Sequence, residues 1–298
     1  MTEPNRPHRW DLVRPDQLGS LPAGAPVLWF LDELATCAAK VLARSEDGDL
    51  YFVGRSADSV YDLLSGALTD RSRLRLLPWS LGMADHALLG PMRPGETAQL
   101  RANLADAGLS PAALAGGGPP VVLTDLVSSG GTFGCLTRIL RQWAEDDGVA
   151  WPEVRRRVRF LGITLRRKTS PKTWRWHQHA DWTAGLPTSA SRNVSLDANV
   201  WSYFGNWQPK LTRSFTRVRW GAEDARAPRH DDKAREALAE ALAVVAAGRT
   251  AGVRDRMVRE IVKEPAIAQR WLRDLVTELK LPRPRLRTPT PPGTPQAS

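Results

Sequence analysis

The residues best placed for chemistry lie in one run, Val121 to Phe133, which reads VVLTDLVSSGGTF. Its apolar first half is a buried β-strand that delivers Asp125 near its C-terminal end, the side on which open α/β sheets bind ligands. The small residues Ser128, Ser129, Gly130, Gly131 and Thr132 follow and open a helix. Such residues let the backbone curl into a nest of N–H groups, to which the helix dipole adds positive potential. Three hydroxyls share that cup. The chemistry this favours is capture of a phosphate monoester, with Asp125 beside it to hold sugar hydroxyls. A tight strand-to-helix turn with no ligand would use the same residue types. The segment lacks the Gly-Lys-Ser/Thr ending of a Walker-type loop, and no Gly-x-Gly-x-x-Gly follows the first strand.

A second candidate lies upstream. Phe52-Val53-Gly54-Arg55-Ser56 ends an apolar run and precedes the helical pattern Asp58 to Leu68. Gly54 permits an unusual backbone turn, Arg55 can pair with an anion and Ser56 can donate to it, although an ordinary strand-to-helix turn reads the same way.

The elements that must position these residues follow from periodicity. Val27 to Arg44 recurs apolar at three- and four-residue spacing and predicts a helix. Asp49 to Arg55 and Arg73 to Trp79 predict strands, with Ser56 or Asp58 capping the helix between them. Leu81 to Pro94 has loop character and Glu96 to Ala107 is helical. After the Val121 strand and its helix, through about Asp146, Arg157 to Leu165 predicts a fourth strand. Strands alternating with helices imply an α/β fold with a parallel, doubly wound sheet. From Arg166 to Trp220 the pattern becomes Trp-rich and aperiodic. Asp231 to Ala247, Gly252 to Val262 and Pro265 to Lys280 are helical, with apolar faces from Leu238, Leu242, Val245, Ile261, Ile267, Leu272 and Leu275 that pack on the core or form a dimer surface. The expected organisation is a surface arm over 1–25, a main domain over 26–224, a helical extension over 225–280 and a disordered Pro-rich tail over 281–298.

The Val121 segment resembles the phosphoribosyl-pyrophosphate motif of type I phosphoribosyltransferases. In that family four apolar residues precede an acidic pair, two apolar residues and a Thr-Thr-Gly-x-Thr-like loop. The resemblance makes Val127 to Thr132 the 5′-phosphate loop and Asp125 the second acid, on the ribose and its metal. Thr124 stands where the first acid would be. It also implies that Gly54, Arg55 and Ser56 form the pyrophosphate loop. A mobile catalytic loop then falls at Leu81 to Pro94, where Arg93, with His86 nearby, closes over pyrophosphate; an ordinary surface loop is the other reading. The variable hood over the acceptor falls at 166–224, where Arg167 and Lys168 reach the acceptor and Trp174 and Trp176 offer stacking faces; packing of an accessory layer is again the plainer alternative. The implied activity is transfer of phosphoribose from phosphoribosyl pyrophosphate to a nitrogenous acceptor with Mg²⁺. A non-catalytic regulatory protein binding the same ligand is the alternative that Thr124 leaves open.

Composition sets the outer bounds. The 298 residues are 42% hydrophobic and 25% charged, which excludes a wholly disordered or fibrous chain. No apolar run is long enough to span a membrane. Two cysteines, Cys37 and Cys135, make no disulfide scaffold, and the expectation is a cytoplasmic protein. The net charge of +10 comes from 35 Arg and 7 Lys against 32 acids. Guanidinium forks suit anionic partners. No nucleic-acid motif accompanies them, so a small phosphorylated ligand is expected rather than DNA or RNA, with a second copy of the chain as the other candidate partner.

Overall fold

The computed structural model describes residues 2–14, 18–19, 21–81, 90–168 and 173–282. Five strands form one all-parallel sheet: β1 (Asp49–Val53), β2 (Leu74–Leu77), β3 (Val121–Val127), β4 (Val158–Leu165) and β5 (Ser191–Leu196), in the order β2-β1-β3-β4-β5. The chain leaves β1 for β2 on one side, then crosses to β3 on the other, so the order reverses between β1 and β3. At such a switch point the loops leaving the two strands diverge to opposite faces and open a crevice.

Side-chain alternation builds two cores. Leu50, Phe52, Val122, Leu161, Ile163 and Val194 face one side, where they meet α1 (Leu31–Ala43) and α2 (Asp58–Ala67). The same core takes residues from three C-terminal helices, α8 (Asp232–Arg249), α9 (Ala251–Ile261) and α10 (Arg270–Lys280), among them Val244, Met257, Ile261 and Leu272. Tyr51, Val53, Leu77, Leu123 and Phe160 face the other side. There they pack on α3 (Pro94–Asp106), α4 (Pro111–Ala115), α5 (Gly131–Asp146) and α6 (Trp151–Arg157). The period of two in a strand thus supplies both cores from one run of residues. A short helix, α7 (Ala198–Ser202), follows β5 and is capped by the Asp197 carboxylate.

The C-terminal helices complete the sheet's first core. α8 crosses α2 with the backbones nearly touching: a Cβ on Gly66 would stand 2.0 Å from the Val245 carbonyl oxygen, and one on Gly248 2.3 Å from that of Leu63. Asp231 and Thr250 cap α8 and α9 by accepting from Ala234 and Val253 N–H groups.

Several elements differ from the sequence expectation. β5 falls inside the stretch read as aperiodic. Only Val194 and Leu196 of its six residues are buried, so it carries almost no apolar signal, and pairing with β4 fixes it. The helices α4, α6 and α7 were also unforeseen, being one or two turns long. α2 is capped by Ala57 without a side-chain bond, not by Ser56 or Asp58. The N-terminal arm is not simply a surface strap. Asn5 is buried and donates to the Trp220 and Ala222 carbonyls, Arg9 pairs with Asp58 and Asp62, and Leu12 and Leu18 pack against Leu211 and Leu238.

Candidate functional site

The end of β3 forms a cleft of about 220 Å³ lined by the backbone and side chains from Asp125 to Phe133. Asp125 closes its floor. Ser128 and Ser129 are exposed at its rim, while Gly130 lies beneath them at φ +80° and caps α5. The left-handed turn at Gly130 swings the chain from strand to helix, a conformation open to glycine at little cost. Because the first helical bond runs from Gly134 N–H to the Gly130 carbonyl, the N–H groups of Gly131, Thr132 and Phe133 have no partner within the helix. Those donors, the Ser and Thr hydroxyls and the dipole of a sixteen-residue helix converge on the cleft.

Glycine is required at Gly130 for a second reason. A Cβ there would stand 2.4 Å from the Trp176 ring, and one on Gly162 of β4 would stand 2.3 Å from its Nε1. Trp176 therefore wedges under the loop, fully buried, against Phe133 and stacked on Trp182. That placement corrects the expectation of an acceptor platform: the Trp176 ring supports the cup from inside the core.

Asp125 and the loop after β1 meet across the switch point. The Ser56 hydroxyl donates to Asp125 Oδ1 at 2.5 Å, and the Thr132 hydroxyl also bonds to this carboxylate. Burial pushes the Asp125 carboxyl up to about 7, against the opposing pull of these bonds and of the Lys210 charge. Asp125 therefore titrates near neutrality.

The neighbouring candidates divide. Gly54 takes the unusual turn expected of it, at φ +72°, and donates to the Leu77 carbonyl. Arg55 does not point at the cup; its Nη1 donates to the Thr212 carbonyl at 2.9 Å. The segment around Thr212 runs along the end of β2, where Ser80 N–H donates to the Phe215 carbonyl. Thr124 is fully buried on the opposite face of β3 from Asp125, and its nearest partner is the Val122 carbonyl at 3.5 Å. Arg93 is exposed at the start of α3, where its N–H donates to Glu96, and it does not line the cleft. His86 lies outside the described residues, as does most of the expected mobile loop.

On the β4 side, Trp174 donates its indole N–H to the Ser128 carbonyl at 2.6 Å. Arg167 lies over the Trp174 ring at 4.2 Å, and His179 stacks on it at 4.5 Å and 7°. Trp174 thus grips the loop and its ring already carries two side chains. Lys168 is exposed beyond Arg167.

Lys210 was missed from the sequence. Its ammonium, pushed down to about 8 by burial, bonds to the Phe204 carbonyl and Gln208 Oε1 and lies close enough to Asp125 to stabilise its ionised form. Nothing in the local pattern around Lys210 marks it as half-buried; folding of the 203–212 segment onto α2 and α8 puts it there. No family model matches this chain, and neither a curated protein nor a solved structure is significantly similar to it.

Proposed function

We propose that the chain binds the phosphorylated ribose of phosphoribosyl pyrophosphate at the end of β3 and transfers it to a nitrogenous acceptor. The observation that carries this reading is the meeting of Ser56 and Asp125 at the β1/β3 switch point, beside the Ser128–Thr132 cup. The free N–H groups and hydroxyls of the cup take the 5′-phosphate. Asp125, ionised as ligand hydroxyls replace those of Ser56 and Thr132, accepts from the ribose. The turn at Gly54 to Ser56 lies on the pyrophosphate side. The acceptor nitrogen bonds to the anomeric carbon as the bond to pyrophosphate oxygen breaks and the electron pair leaves with pyrophosphate. The protein contributes orientation and charge stabilisation.

Mg²⁺ belongs to the substrate in this reading. Among the described residues no group of three or more His, Cys, Asp or Glu could hold an ion, and Asp125 is the single carboxylate lining the cleft. That donor set does not fit a resident metal. Mg²⁺ keeps its waters and binds pyrophosphate oxygens readily, so it arrives on the ligand.

The test is incubation with phosphoribosyl pyrophosphate, Mg²⁺ and a panel of purines, pyrimidines and pyridines, reading pyrophosphate release. Release that Asp125→Asn abolishes supports transfer; no release with any acceptor sinks it. A second reading, a non-catalytic sensor of the same ligand, is favoured by Thr124, since the position of the first acid is uncharged and sealed from the cleft. Calorimetry showing heat of binding without pyrophosphate release would select it.

A further inference from the structure

Arg166 and Arg167 are adjacent in sequence and opposite in employment. Arg166 pairs through both terminal nitrogens with Glu33 of α1. Arg167 has no carboxylate partner among the described residues; its guanidinium carbon lies over the Trp174 ring, 4.2 Å from the centroid, and the side chain is exposed. An arginine stacked in this way keeps its in-plane N–H fork free.

The sheet register puts the backbone of Arg167 level with the cup. Val127 of β3 pairs with Thr164 of β4, so Ser128 to Gly130 and Leu165 to Arg167 leave neighbouring strands at the same level. Neighbouring strands run about 4.8 Å apart. The indole that carries Arg167 is itself bonded to the Ser128 carbonyl, and the Arg166 to Thr173 bridge holds Trp174 back against β4. The surroundings are cationic: residues 166–180 contain no Asp or Glu, and Lys168 and Arg175 are exposed without ion pairs among the described residues.

We infer that Arg167, held on Trp174, reads a second anionic group beside the phosphate cup, so that the acceptor is a planar heterocycle bearing a carboxylate. The inference rests on the phosphoribosyl reading of the cup. Planar carboxylates match the guanidinium fork with two parallel bonds, and a neutral base leaves that fork in water with no gain. Trp174 is the positioning residue: it fixes both the cation and the loop carbonyl.

The experiment measures two affinities on the full chain by calorimetry. Ribose 5-phosphate probes the cup. In its presence, uracil and its 6-carboxylate, and pyridine and its 3-carboxylate, probe the second subsite. Each carboxylated probe is expected to bind about tenfold or more tighter than its parent. Arg167→Ala should erase that preference while leaving ribose 5-phosphate affinity within about twofold, and Arg167→Lys should restore only part of it. Trp174→Phe keeps a stacking face but loses the bond to Ser128, so it should weaken both affinities. Failure of ribose 5-phosphate to bind overturns the reading of the cup. Tight ribose 5-phosphate binding with no carboxylate preference, or a preference that survives Arg167→Ala, overturns the role of Arg167 alone.

Discussion

Ser56 and Asp125 stand 69 residues apart in the chain and touch, hydroxyl to carboxylate, where the loop after β1 faces the end of β3. This contact spans the switch point of the sheet. It occupies a buried carboxylate with a neutral donor.

The Asp125 carboxyl is raised to about 7 by burial, whereas an unfolded chain releases that proton near its ordinary value. The folded state therefore holds the extra proton, and stability falls as pH rises from about 4 toward 7. Asp125→Asn removes this penalty. The variant should unfold at a higher temperature than the parent at pH 8, with little difference near pH 4. Calorimetric melts at the two pH values decide it; an unchanged difference across them would show that Asp125 is not buried as a carboxyl.

Binding should move the opposite way. If ionised Asp125 accepts from ligand hydroxyls, ribose 5-phosphate affinity rises as pH climbs through about 7. The phosphate titrates near 6 and adds its own dependence. Asp125→Asn should retain only that lower step. A parent profile that is flat above about pH 6.5 would count against the role of Asp125.

Gly162 tests the support under the cup. A Cβ there meets Trp176 Nε1 at 2.3 Å, so Gly162→Ala must displace a fully buried indole. Its expected cost is about 1–3 kcal/mol by urea unfolding, together with weaker ribose 5-phosphate binding. Replacing Trp176 by Phe in the same chain should recover part of the loss, because the smaller ring leaves room. No recovery would mean that the strain lies elsewhere.

The N-terminal arm is tested at Arg9. Its guanidinium bonds Asp58 at 2.8 Å and Asp62 at 2.6 Å, and Asp62 is still pushed up to about 6 by burial. Arg9→Ala leaves two buried carboxyls without their cation, which costs about 3–5 kcal/mol. Because the Asp62 carboxyl, already pushed up to about 6 by burial, can escape the cost by binding a proton, the loss should be larger at pH 7.5 than at pH 4.5. Adding Asp62→Asn to Arg9→Ala should restore much of the stability at pH 7.5, as read by chemical denaturation.

Much of the scaffold was legible in the chain before any fold. The alternation of apolar residues with turn residues at Gly54 and Ser128–Thr132 is local, and it fixed four parallel strands, most of the longer helices and the cup at the end of β3. Local pattern suffices there because a strand buried on both faces must be apolar throughout, and a helix must start where a small-residue loop ends. Tertiary structure alone decided what those pieces serve. β5 exists because β4 offers it an edge, since only Val194 and Leu196 bury apolar surface of its own. Arg55 and Arg167 are both cations at strand ends, yet one is spent on the Thr212 carbonyl and the other is left free on Trp174. Trp174 and Trp176 are two residues apart and were equivalent as sequence, but one grips the loop from its rim and the other supports it from the core. Residue type sets what a side chain can do; which partner it finds depends on contacts between segments tens to hundreds of residues apart, and no local periodicity records them.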